Sequence, residues 1–271
     1  MINDIALSAK KRFCFALALI AIFYLLIVVW LGVTWYAAQF SLPFHFFNDL
    51  SEWKQMDKWG HFFTAFQVST LTARLFCWTR YMEERKARFR GTCVAFFIVS
   101  SVEIFDGFSN QYGFSFYDIT ANALGCFAFI VQYRLWNKVK VFSKFSVHLT
   151  GFAALRPSLL GDGFFQRLLK DYNGQTYWFS FHPNFLKLPS WFCLAVGVSA
   201  EGMVRGLDAQ SELMHFTPYR KYFVSFDIDL SVIKTHSRFL KSCLLVLNMI
   251  KIPAPALELS TQGLRFHPIY F

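Results

Sequence analysis

The side chains able to do chemistry gather between residues 57 and 125. Asp57 and Lys58 open one segment, with His61 one helical turn on. Glu103 and Asp106 close a second, followed by Gly107. Gly113, Ser115, Asp118, Asn122 and Gly125 open a third. Four acids and one imidazole make a donor set that suits a divalent metal, which activates water or polarises a phosphate. In that reading the metal ligands are Asp57, His61, Glu103, Asp106 and Asp118. The same groups can work without metal, with His61 as general base and Glu103, Asp106 and Asp118 as acids. Lys58 would hold an anionic group, and Asn122 and Ser115 would orient a bound partner. A purely structural reading stands beside both. There Lys58 pairs with Glu103 or Asp106, His61 donates to Asp118, and Asn122 satisfies backbone groups, closing a network that fixes three helix ends.

These residues need helices to bring them together. Asp57 and His61 are four apart, as are Asp118 and Asn122, while Glu103 and Asp106 are three apart; each pair shares a helix face. Apolar helical segments are expected over about 58–78, 91–105 and 117–136. Short connections make them antiparallel, so the start of the first, the end of the second and the start of the third share one end of a bundle. Ser115 is placed to cap the third helix, and Asp118 suits its N-terminal dipole. Gly107 and Gly113 allow tight turns, and Gly125 permits close helix packing.

Composition sets the surroundings. Hydrophobic residues make up 55% and charged residues 16%, and mean hydropathy is +0.35. A soluble domain carries about 25% charged residues, so the deficit points to lipid contact. The formal charge is +10. Its basic residues sit at the ends of apolar segments, which favours membrane flanks over nucleic acid; no nucleic-acid module is recognisable. An uncharged run from Phe13 to Phe40 follows Lys10-Lys11-Arg12, longer than the roughly 20 residues a span needs. The small-residue site at Ala37-Ala38 has Trp35 or Tyr36 where a signal-peptidase site needs a small residue, so an uncleaved anchor is expected. Basic loops at 80–90 and 134–144 alternate with weakly charged ones at 41–57 and 106–116. That pattern fits four spans with the latter two outside, while a single span with everything after residue 40 periplasmic is the other topology.

The last part, 145–271, changes character. TYWFSF (176–181), FCLAVGVSA (192–200), YFVSFDIDL (222–230) and the terminal LRFHPIYF read as strands. Residues 237–252 read as an amphipathic or membrane-touching helix ended by Pro253 and Pro255. Asp227 and Asp229 alternate with apolar residues and are expected to face solvent. Asp162 and Asp171 read as loop residues. His148, His182, His215, His236 and His267 have no ligand spacing. The six cysteines lie in apolar runs without metal-ligand spacing. The G-x-S-x-G frame of a nucleophile elbow is absent around Ser199.

The pattern D-K-x-x-H, then E-x-x-D-G, then G-x-S-x-x-D-x-x-x-N-x-x-G over about 50–137 resembles the YfiM-like family of envelope lipoproteins, a domain of unknown function. DYNGQTYW (171–178) and IKIPAPALEL (250–259) are similar to long members from Bacteroidetes-type bacteria. More distantly, the pattern is similar to VanZ-like membrane proteins, which generally have Gln where this chain has Asp106. The resemblance implies an envelope location and supplies no reaction. The family's lipid-bearing cysteine has no counterpart here, since Cys14 starts the apolar run and does not follow it.

The expected fold is mainly α: an N-terminal membrane anchor (1–40), an antiparallel three-helix module (41–144), and a smaller C-terminal α+β region (145–271). The expected function is an envelope membrane protein, most naturally of the inner membrane, whose polar pocket binds or processes a lipid or cell-wall precursor headgroup. Membrane lipid is its partner, a divalent metal its cofactor, and nucleic acid is excluded. The other class is a non-catalytic structural protein that docks an envelope protein partner.

Overall fold

The computed structural model describes residues 2–33, 42–183 and 187–271. The end of the expected anchor and the Ala37-Ala38 site lie outside the described residues. The chain divides into two compact units, one of Met1–Asp49 and Thr64–Asn137, the other of Leu50–Phe63 and Lys138–Phe271. About 53% of the chain is helical and 21% is strand, so the mainly-α expectation holds roughly, with a larger sheet than the sequence patterns indicated.

The first unit is helical. α1 (Ile2–Leu31) contains the segment Ser8–Leu31, long and apolar enough to cross a membrane. α2 (Met56–Thr79) begins in the second unit and ends in this one. α3 (Glu84–Asp106) and α4 (Phe116–Trp136) complete the bundle. Phe13 of α1 stacks on Tyr81, and Tyr24 donates to Ser101 Oγ at 2.9 Å. α1 therefore runs alongside α3 in the same direction.

The bundle's interior follows helical periodicity. α4 buries Asp118, Ala121, Asn122, Gly125, Cys126, Phe129 and Gln132 in one stripe. α3 buries Ala87, Gly91, Ala95, Val99 and Glu103. Gly91 lets α2 and α3 cross closely, because a Cβ there would lie 2.6 Å from Ala73 Cα. Thr72 Oγ1 donates to the Gly91 carbonyl across this crossing at 2.8 Å. Both stripes are apolar or small along their length and acidic at one end.

α3 starts seven residues before the expected boundary of 91. Residues 84–90 are helix and not loop; Arg88 pairs with Glu84 one turn back, so charge alone did not mark a connection. α3 has 23 residues, but among the described residues only Ser8–Leu31 is both long and apolar enough to cross a membrane.

The second unit is built on an antiparallel meander, β1 (Val141–Val147), β2 (Gln175–Phe181), β3 (Phe192–Glu201), β4 (Tyr219–Ile228), β5 (Ala254–Ser260) and β6 (Gly263–Tyr270), in sequence order. Short helices α5 (Phe152–Leu155), α6 (Pro157–Leu160) and α7 (Phe164–Lys170) join β1 to β2. α8 (Asp208–Glu212) lies between β3 and β4, and α9 (Arg238–Leu247) between β4 and β5. Tyr270 of β6 reaches Thr176 of β2 at 3.1 Å. Residues 249–251 pair with the free edge of β1 through Phe145. The sheet thus coils back on itself around a filled interior.

That interior is polar as well as aromatic. Trp178, Phe223, Ala195, Ala256 and Tyr270 form its apolar part. Gly197 is required beside them, because a Cβ would meet the Trp178 ring at 2.6 Å. Lys144 and Asp227, both fully buried, form an ion pair of 2.7 Å. Lys144 also donates to the Ile228 carbonyl and to Asn248 Oδ1. Lys251 sits 4.7 Å above the Trp178 ring. Burial lowers its pKa to about 8, against the opposing pull of Asp227.

Several expectations change here. Lys144 belongs to a strand and not to a basic loop. Asp227 and Asp229 are buried because the sheet coils, which turns the polar side of β4 inward. α9 ends at Leu247 with Asn248 as its C-cap, before the prolines. Pro255 lies inside β5, where the register shift between Ala254 and Ala256 accommodates it.

Candidate functional site: a buried carboxylate cluster

In the helical unit the acidic ends of α3 and α4 meet the segment that precedes α2. Residues 45–47 pair with the α3–α4 connection: His45 N donates to Gly107 O, Phe47 N to Phe114 O and Phe114 N to His45 O. His45 Nε2 lies 2.8 Å from the Tyr112 carbonyl. Gly107 lies in the hydrogen-bonded turn that follows α3, and neither Gly107 nor Gly113 has a positive φ. They make room: a Cβ on Gly107 would lie 2.3 Å from the Phe44 ring, and one on Gly113 2.5 Å from Phe47 Cβ. Phe44, Phe46, Phe108, Phe114 and Phe116 form a continuous aromatic cluster over this end.

This packing delivers Asp49 to the α4 N-terminus. Ser115 is the N-cap of α4, and its Oγ accepts from Asp118 N at 3.2 Å. The same hydroxyl donates to Asp49 Oδ1 at 2.7 Å. Ser115 N donates to Glu103 Oε2 at 3.4 Å. One serine therefore connects three carboxyl-bearing residues from three chain segments. Asp49, Glu103 and Asp118 are all more than nine-tenths buried. Asp118 offers a carboxylate oxygen within 4.8 Å of one from Glu103 and within 4.8 Å of one from Asp49. Asn122, fully buried one turn along α4, lies 3.5 Å from Ser100 Oγ.

The other sequence-selected residues are placed differently. Asp106, half-buried at the end of α3, contributes no oxygen to this group. Asp57 and Lys58, on the first turn of α2, bind each other: Lys58 Nζ–Asp57 Oδ2 is 2.8 Å and Lys58 N donates to Asp57 Oδ1. The structural reading sought the partner of Lys58 on α3; its nearest neighbour in sequence also serves. Tyr177 of β2 lies in the same unit, and its phenol is pushed upward by burial and then by the negative field of Asp57. His61, half-buried, is one turn further along α2.

The chain enters this part of α2 through a strained turn. Trp53, Lys54 and Gln55 all have φ near +50°, a region costing roughly 1–2 kcal/mol per non-glycine residue. Tertiary contacts within the sheet unit hold it. Trp53 N donates to Gly206 O, Lys54 pairs with Asp208, and Arg220 binds both Lys54 O and Gln55 Oε1. Strain kept in place by so many groups is a mark of functional positions, and this turn fixes where Asp57 and His61 begin.

Asp49 is the residue that sequence reasoning missed. Its signal was present, an acid inside the aromatic stretch FHFFND (44–49), but a polar residue there reads equally as part of a solvated connector.

A family model described as a predicted periplasmic lipoprotein (DUF2279) matches residues 45–135. The match supports an envelope protein of unknown function with an N-terminal apolar helix, and it covers the segment carrying the carboxylate cluster. No curated protein and no solved structure matches the chain.

Proposed function

We propose that the helical unit is a membrane-anchored divalent-metal site that binds or processes the phosphate-bearing headgroup of a lipid or cell-wall precursor. One observation carries this reading: the buried carboxylates of Asp49, Glu103 and Asp118 meet around Ser115. Like charges this close do not all ionise without a compensating cation or a shared proton. A set of hard oxygen donors favours a hard divalent ion.

Helical periodicity supports adding His61. Ala65, Val99 and Cys126 form one packed layer of the bundle. One turn on, toward the acidic end, stand Glu103 on α3 and Asn122 on α4. From the sequence spacing alone we add His61, four residues before Ala65 on α2. His61 is then a nitrogen ligand or the general base, with Asp57 behind it on the same face. Lys58 holds the anionic headgroup, Asp106 serves as an acid at the rim, and Ser115 and Asn122 orient the acids. The metal, when bound, supplies Lewis-acid activation of a phosphate oxygen or a water.

The membrane setting is consistent with this. α1 lies along α3, so an embedded α1 puts the bundle at the same depth. The likeness to YfiM-like and VanZ-like proteins supports an envelope location, and the apolar α1 after Lys10-Lys11-Arg12 supports the inner membrane as the place and membrane lipid as the partner. The second reading, an assembly protein that docks an envelope protein partner, is favoured by the use of Ser115 as a structural link among Asp49, Glu103 and Asp118.

The test is Mn²⁺ binding by the purified full-length protein, followed by electron paramagnetic resonance. Wild type is compared with Glu103→Gln, Asp118→Asn and His61→Ala, each checked for helical content. Stoichiometric binding, lost in all three folded variants, is the expected result. Absence of binding in wild type, with variants that change only thermal stability, would leave the assembly reading in its place.

A further inference from the structure

The sheet unit buries polar groups beside its aromatic core and exposes apolar ones. Inward-facing residues of β3–β6 include Ser199, Lys221, Ser225, Asp227 and Glu258, each at most 4% exposed. Their outward-facing neighbours are apolar. Tyr222, Val224 and Phe226 on β4, Leu257 and Leu259 on β5, and Leu264 and Phe266 on β6 are 43–67% exposed. The register makes these one surface: Val224 is opposite Leu257, which is opposite Phe266, while Tyr222 is opposite Leu259, which is opposite Leu264.

α9 and the residues after it add to this exposed apolar surface. Phe239, Val246, Leu247 and Ile250 are exposed, while Asn248 is buried and bonded to Lys144 and Asp229. Lys234, before the helix, and Lys241, in its first turn, are exposed.

We infer that the outer face of β3–β6, together with α9, is immersed in one leaflet of a lipid membrane. Polar interior and apolar exterior on alternate residues is the pattern of sheets that face lipid. The coiling of the sheet fans these side chains outward from a convex surface. A fluid acyl phase covers such a fan, whereas one flat protein partner touches only part of it. From Tyr222 to Phe226 the belt is about 14 Å along the strand, about half of a hydrocarbon core of ≈ 30 Å. The sheet therefore dips into a leaflet without crossing it. An amphipathic helix with exposed lysines before it and in its first turn suits the headgroup boundary of anionic lipid.

The test uses the full chain in phosphatidylethanolamine–phosphatidylglycerol proteoliposomes containing a phospholipid with a photoactivatable group on its acyl chain. Adducts are mapped by mass spectrometry. The expected result is labelling within 222–226 and 257–266 as well as in α1. Labelling confined to α1 would overturn the inference. So would cross-linking of β4–β6 to β4–β6 of a second copy, which would make the belt a dimer face. A Val224→Glu/Leu257→Lys variant, changed only at exposed positions, is expected to keep its β-sheet signature in detergent, lose sheet adducts and retain those in α1. Undiminished sheet adducts in that variant would count against specific immersion.

Discussion

The two units bury their carboxylates in different company. The sheet unit buries opposite charges together: Lys144 meets Asp227 at 2.7 Å. The helical unit brings three like-charged groups, Asp49, Glu103 and Asp118, around one serine. A buried ion pair is complete without a ligand. A buried cluster of acids is an arrangement that a cation improves. Density of ionisable groups therefore marks a site less well than the sign of what each group faces.

Substitution should separate the two. The largest expected effect is in the sheet unit. Asp227→Ala leaves Lys144 in the interior without its counter-charge, a loss of about 3–5 kcal/mol by chemical denaturation. A Lys144→Met/Asp227→Leu double variant is expected to recover most of it. A single variant as stable as wild type would mean that the Ile228 carbonyl and Asn248 suffice to hold the ammonium.

Next in size is the crossing of α2 and α3. Gly91→Ala pushes a Cβ against the Ala73 backbone, and such overpacking costs about 1–3 kcal/mol. A thermal melt that does not shift would show that the two helices separate there without loss.

Removing an acid from the cluster should do the reverse of Asp227→Ala. Asp118→Asn relieves like-charge repulsion and keeps the shape, so stability is expected to change by less than about 1 kcal/mol while Mn²⁺ binding disappears. A loss as large as that of Asp227→Ala would make the two regions alike and favour a structural network.

A further effect is one of pH. Burial holds Lys251 down to about 8 from an ordinary 10.5. Between those values the unfolded chain binds more protons than the folded one, so this group makes stability rise with pH across that window. Lys251→Met lacks the rise. The stability difference between the two proteins is expected to move toward wild type by roughly 2–3 kcal/mol from below pH 8 to pH 10. A constant difference would show that Lys251 keeps its proton in the fold, held by Asp227.

Much of the helical unit was legible because helical periodicity is local. The stripe on α4 and the spacing of Glu103, Asp118 and Asn122 follow from i, i+3 and i+4 geometry. Ser115 as a cap follows from its residue type and its place three residues before Asp118. The start of α3 was not legible, since Glu84 and Arg88 support a helix as well as they decorate a loop. β5 was hidden by Pro255, which is compatible with a strand at a register shift.

The sequence alone determined an apolar N-terminal helix, three further apolar helices, and strands with partly alternating polarity, all set by contacts between near neighbours. It also determined which end of the bundle is acidic. Only the tertiary structure decided which side of each strand is the inside. Alternation separates two faces without naming either, and coiling of the sheet buried Lys144, Asp227 and Glu258 while leaving Tyr222, Val224 and Phe266 outside. It also brought Asp49 to Ser115, because a residue in a connecting loop is placed by the backbone it pairs with and not by any period of its own.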